Sequence, residues 1–90
     1  MTDHQHLKTL GTTPFGLYGP ADKHMFRVNP DIPASAALEY ISMLQNCINE
    51  LNLDYAMGDR NLMAGWATYY LGEMSKALVD DLNEAALRAQ

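Results

Sequence analysis

The stretch Ala64-Gly-Trp-Ala-Thr-Tyr-Tyr-Leu-Gly-Glu-Met-Ser-Lys-Ala-Leu-Val-Asp-Asp-Leu82 decides the fold. At about 100° per residue, Met63, Trp66, Ala67, Tyr70, Leu71, Met74, Ala77, Leu78, Leu82 and Ala85 fall on one broad arc. Gly65, Tyr69, Gly72, Glu73, Lys76 and Asp80 fall opposite, so the stretch reads as an amphipathic helix running from about Arg60 to Ala86 or beyond. The apolar arc spans roughly 160°, wider than the ~100° stripe that one neighbouring helix covers, and therefore calls for a second partner.

Upstream, Gly58 suits the left-handed residue that ends a helix, and Asp59 or Asn61 is placed to cap the next one. Before that turn, Ala37, Ile41, Leu44, Ile48, Leu51 and Tyr55 recur at steps of four and three. This is the seam of a first helix, widened by Tyr40 and Cys47, with Ser42, Asn46, Asn49 and Glu50 on its polar side. Asn29-Pro30-Asp31-Ile32-Pro33 marks its start, with Asp31 or Ser35 expected as the cap. A link of a few residues between two long helices dictates an antiparallel hairpin.

Further upstream the helical period is lost. His24 to Asn29 alternates as a strand, with Phe26 and Val28 on one face and Met25 and Arg27 on the other. Its mate is either Phe15 to Tyr18, folded back across Gly19-Pro20-Ala21-Asp22, or the same strand of a second chain. Residues 1–24, punctuated by Gly11, Pro14, Gly16, Gly19 and Pro20, read as a flexible N-terminal arm. The first ten residues are the part expected to be disordered, whereas Phe15, Leu17 and Tyr18 are apolar enough to pin the arm down.

The expected architecture is therefore mainly α: an antiparallel hairpin of two long helices over residues 25–90, preceded by a short N-terminal β-strand or hairpin. Ninety residues form one domain with a limited core. Dimerisation into a four-helix bundle would cover the surplus, with Ile41, Leu44, Ile48, Trp66, Tyr70, Met74 and Leu78 at the core or dimer interface.

Composition narrows the function. A net charge of −5 opposes attraction to nucleic acid and to anionic membranes. No apolar run approaches the ~18 residues of a membrane span, and the N-terminus lacks a signal core, so a cytoplasmic protein is expected. Cys47 is the only cysteine, which excludes an internal disulfide and a thiolate metal cluster.

Candidates for chemistry each meet a plainer reading. His4 and His6 form a His-x-His without further ligands, and no Glu-x-x-His lies on either helix, so no metal or other cofactor is expected. Cys47, beside the seam with no cation within a turn, reads as a buried small hydrophobe. Ser35, Ser42 and Ser75 have no histidine base on the helices. Asp81 is the one carboxylate in the apolar arc, and is expected either to leave the core or to meet an arginine such as Arg27 or Arg60. No catalytic residue is assigned. Gly65, Thr68, Gly72 and Ser75 form a stripe of small residues that reads equally as a solvent face or as a docking groove for the arm or another protein.

Phe26-Arg27-Val28, Ala37-Leu38-Glu39, Trp66-Ala67-Thr68, Tyr70-Leu71 and Met74-Ser75-Lys76-Ala77-Leu78-Val79-Asp80-Asp81 together resemble a family of short pseudomonad proteins known only as a domain of unknown function. The resemblance covers about residues 25 to 82. It implies a bacterial single-domain protein and no particular chemistry.

The leading expectation is a non-enzymatic homodimer that engages another protein in a regulatory or adaptor role. The alternative is a small-molecule binder or enzyme using an aromatic pocket between Trp66, Tyr69, Tyr70 and the tyrosines of the first helix. An acidic inhibitor that occludes a basic surface is a third, marked by steep salt dependence.

Overall fold

The structure, a computed structural model, describes residues 6–18 and 23–90. It contains, in order, strand β1 (Pro14–Tyr18), strand β2 (Lys23–Arg27), helix α1 (Ala34–Ala56) and helix α2 (Leu62–Arg88). The helices of 23 and 27 residues pack side by side as the hairpin that the short turn demanded. Gly58 takes φ +110°, a conformation L side chains avoid. The Asn61 side chain accepts the Met63 N–H at 2.9 Å and caps α2. Arg60 donates to the Tyr55 carbonyl and lies 4.0 Å from the centroid of the Tyr55 ring, closing the turn.

The strand finds its mate within the chain. β1 and β2 are antiparallel, with Phe15 opposite Phe26 and Leu17 opposite His24, and β1 is the strand that packs on α2. The connecting turn at 19–22 lies outside the described residues.

The start of α1 differs from expectation. Pro33 is its N-cap, and neither Asp31 nor Ser35 supplies a capping side chain. The reason lies in the segment before β1. The Leu7 carbonyl accepts the Ala34 N–H at 2.8 Å, Lys8 bridges to Pro33, and Thr9 exchanges backbone hydrogen bonds with Asp31 and Ile32. Backbone thus does what a side chain was expected to do. Asp31 adopts φ +65° to make this junction. Residues 7–9, within the first ten that were expected to be disordered, are held by these bonds, and β2 begins at Lys23, one residue before the division drawn at 24.

The core is small and made of small residues. Ala34, Ala37 and Leu82 are buried together, with Leu7, Ile32, Ile41 and Leu78 packed around them, at the end of the hairpin that carries the ribbon. Along the α1 seam, Ala37 is buried, Ile41, Leu44, Ile48 and Leu51 are half-buried, and Tyr55 is exposed. Cys47 is exposed, contrary to the buried position expected of it, because no second layer covers its side of α1.

The molecule is elongated and flattened, with extents of 49 × 32 × 15 Å. Its surface of 6790 Å² exceeds by about 1,500 Å² the roughly 5,200 Å² of a compact monomer of 10.0 kDa. From Asn52 to Met63, around the hairpin turn, every residue is exposed, including Leu53, Tyr55, Met57, Leu62 and Met63.

Candidate functional site

The most deeply buried polar group is Asp81, at 0% exposure and the only large side chain so completely enclosed among the described residues. It was expected either to leave the core or to meet an arginine such as Arg27 or Arg60, and it does neither. Its partners are four consecutive backbone N–H groups of the segment before β1. Leu10 and Gly11 donate to one carboxylate oxygen at 2.6 and 3.2 Å, and Thr12 and Thr13 donate to the other at 3.0 and 3.1 Å. Such a run of amides wrapped round an anion compensates a charge that would otherwise be costly to bury. Burial alone pushes the Asp81 carboxyl up. The Leu10 N–H, the Thr13 hydroxyl and the N–H groups of Gly11 and Thr12 outweigh it and hold the carboxyl below its ordinary value.

The wrap is shaped by Gly11 and Thr9. Gly11 has φ +78°, and a Cβ there would stand 2.8 Å from Cβ, Cδ and N of Pro30. The buried Thr9 hydroxyl donates to the Asn29 carbonyl at 2.5 Å and accepts the Ile32 N–H at 3.0 Å. Residues 7–13 are thereby clasped between the approach to α1 and the second helix. This is an organising centre of the fold rather than an open reactive site.

A second carboxylate on α2 holds the ribbon. Glu73 accepts the Gly16 N–H at 3.0 Å and a hydrogen bond from the Tyr69 hydroxyl. The hydroxyl first, then the Gly16 N–H and the charge of His24, lower the Glu73 carboxyl against a smaller opposing effect of burial, and Tyr69 is raised in return. Gly16, at φ +72°, has no room for a Cβ, which would meet the Phe26 ring at 2.9 Å. Beside Glu73 opens a groove of about 480 Å³, lined by Phe15, Gly16, Met25, Phe26, Tyr70, Glu73 and Met74. This groove, lined by three aromatic rings, lies between α2 and the ribbon.

The residues expected at the core or dimer interface divide into two sets. Ile41, Leu44, Ile48 and Leu78 are half-buried. Trp66, Tyr70 and Met74 are 50%, 54% and 40% exposed; Trp66 stacks on Tyr70 with centroids 6.0 Å apart, and Tyr69 meets both rings edge-on at 6.3 and 5.6 Å. The small-residue stripe is also divided. Ser75 is buried and accepts from Gln45 of α1 at 2.9 Å, while Thr68 donates to the Ala64 carbonyl of its own helix. A Cβ at Gly65 or Gly72 would meet nothing within 4 Å.

His4 lies outside the described residues and His6 is exposed. Among the described residues, no three His, Cys, Asp or Glu side chains gather where they could hold a metal ion, and no helix is long and apolar enough to cross a membrane.

The fold and the clasp define a class: a small helical hairpin carrying an antiparallel β-ribbon, tied to its second helix by a buried aspartate. The chain belongs to the family described as Protein of unknown function (DUF3077), whose model matches residues 9–85. That span opens at Thr9, where the clasp is zipped, and closes at Ala85, the last buried residue of α2. No curated protein and no solved structure matches the chain.

Proposed function

We propose that this protein is a non-enzymatic homodimer whose exposed apolar face is covered by a second copy, and which acts by engaging another protein in a regulatory or adaptor role. One observation carries the reading: Trp66, Tyr70 and the apolar residues of the hairpin turn lie exposed, outside the small core. A stable domain needs a second layer, and the surplus surface of about 1,500 Å² per chain exceeds the ~800 Å² each partner buries in a standard interface. Concentration-dependent melting tests it. A folded dimer melts several degrees higher at about 100 μM than at about 1 μM, and a melting temperature independent of concentration would remove the dimer.

A second reading, a small-molecule binder, draws on the groove beside Glu73. Its volume lies within the ~300–1,000 Å³ of ligand pockets, and its wall is apolar with one carboxylate. A reproducible thermal-shift hit from a metabolite library, abolished by Tyr70→Ala, would favour it.

A further inference from the structure

The ribbon has one open edge, and its chemistry is selective. The Val28 N–H donates to the Thr13 carbonyl at 3.0 Å, which sets the phase of the ladder. Hydrogen-bonded pairs alternate with non-bonded pairs along an antiparallel ladder. With Phe15 opposite Phe26 and Leu17 opposite His24, the backbone groups of Phe26 and His24 face β1. Those of Lys23, Met25 and Arg27 therefore face outward. The same phase turns the Gly16 N–H away from β2 and toward Glu73, where it is found. Among the described residues the sheet has two strands, so no third strand covers the outer edge of β2. Every residue of β2 is exposed, Met25 at 63% and Phe26 at 60%.

Lys23, Met25 and Arg27 also share one face of the strand, two residues apart. They give that face a cationic, apolar, cationic pattern, with two of the six Lys and Arg residues of the whole chain. A second copy pairing antiparallel about Met25 would set Lys23 against Arg27 of its twin at both ends, and like charges directly opposite are destabilising. An extended segment with carboxylates two residues either side of an apolar side chain meets both cations with the right sign. Met25, 63% exposed, offers the added strand an apolar contact between the two cations.

We propose that the outer edge of β2 is a strand-addition site for an extended acidic segment of a partner protein. The main-chain bonds would supply affinity, and Lys23 and Arg27 the selection. This deepens the reading that the protein engages another protein, and it does not depend on the dimer.

The test uses the full chain and two synthetic peptides, Thr-Glu-Thr-Val-Thr-Glu-Thr and its counterpart with Lys for Glu, followed by amide chemical shifts. The acidic peptide should bind about tenfold or more tightly than the basic one, with shifts centred on Lys23, Met25 and Arg27. The double variant Lys23→Glu/Arg27→Glu should reverse that preference. Met25→Pro removes an outward-facing N–H together with the apolar side chain between the cations, and none of the β1–β2 hydrogen bonds, so it should abolish binding while the amides of Leu10 to Thr13 stay protected. Equal binding of the two peptides, or no shift in β2 with either, would overturn the proposal. So would Met25→Pro turning a dimer into a monomer, which would assign the edge to a second copy. A monomeric wild type that still selects the acidic peptide would defeat the dimer and leave this site standing.

Discussion

Replacing Asp81 with Asn is the most informative single change in the molecule. The amide keeps one acceptor oxygen where the carboxylate had two, and each carboxylate oxygen serves a pair of N–H groups. One pair, either Leu10 and Gly11 or Thr12 and Thr13, would then face an NH₂ group that donates and cannot accept. An orphaned buried donor costs about 1–3 kcal/mol, so two cost about 2–6 kcal/mol, and the surviving pair loses its charge assistance. About 3 kcal/mol is a conservative central value, because three of the four bonds are only partly buried. For a chain of this size that lowers the melting temperature by roughly 12–24 °C. Removing one negative charge from a protein of net −5 would by itself favour the compact state, so a loss of stability cannot be read as a general charge effect. Circular-dichroism melting gives the magnitude, and hydrogen exchange gives the place. The amides of residues 10–13 should lose protection first, before those of the helices. A melting temperature within a degree or two of wild type, with those four amides still protected, would refute the clasp.

Three further outcomes follow from the same geometry. Because the folded Asp81 carboxyl lies below its ordinary value, its stabilisation is full above about pH 4 and is lost as pH falls through the lower folded value. Melting temperature against pH should therefore drop steeply in acid for wild type and more gently for Asp81→Asn; parallel curves would contradict this. Gly11→Ala forces a Cβ against Pro30 at a positive φ and should cost about 2–4 kcal/mol by urea denaturation, whereas Gly65→Ala, with open space around it, should be neutral or stabilising. Trp66→Ala separates a covered from an uncovered surface: about 3–5 kcal/mol is expected where a twin buries the ring, and about 1 kcal/mol or less where it stays half exposed.

Much of the fold was legible because it follows from periodicity. The steps of three and four from Ala37 to Tyr55 and from Met63 to Ala85 specify two helices, and Gly58 with Asn61 specifies the break between them. The pairing of Phe15 with Phe26 was one of two matings that alternation allowed. The clasp was hidden for a physical reason. Its donors are backbone N–H groups, which every residue except proline carries, so Leu10 to Thr13 leave no side-chain trace of their role. The available signals were indirect: a lone carboxylate at Asp81 within an apolar arc, and a glycine at position 11 in a Thr-rich stretch. The start of α1 was missed for the same reason, since the Leu7 carbonyl serves the helix where a polar side chain was sought. Cys47 was misplaced because flanking an apolar seam implies burial only where a second layer exists.

The stacked ring of Trp66 and its neighbours gives the most direct access to the claim that two copies complete one another. Sedimentation equilibrium at micromolar concentration should return twice the 10.0 kDa of the chain for wild type, and half that value for Trp66→Glu, which sets a charge into the shared face. A wild-type mass of a single chain, in a sample whose circular dichroism shows both helices formed, would contradict it.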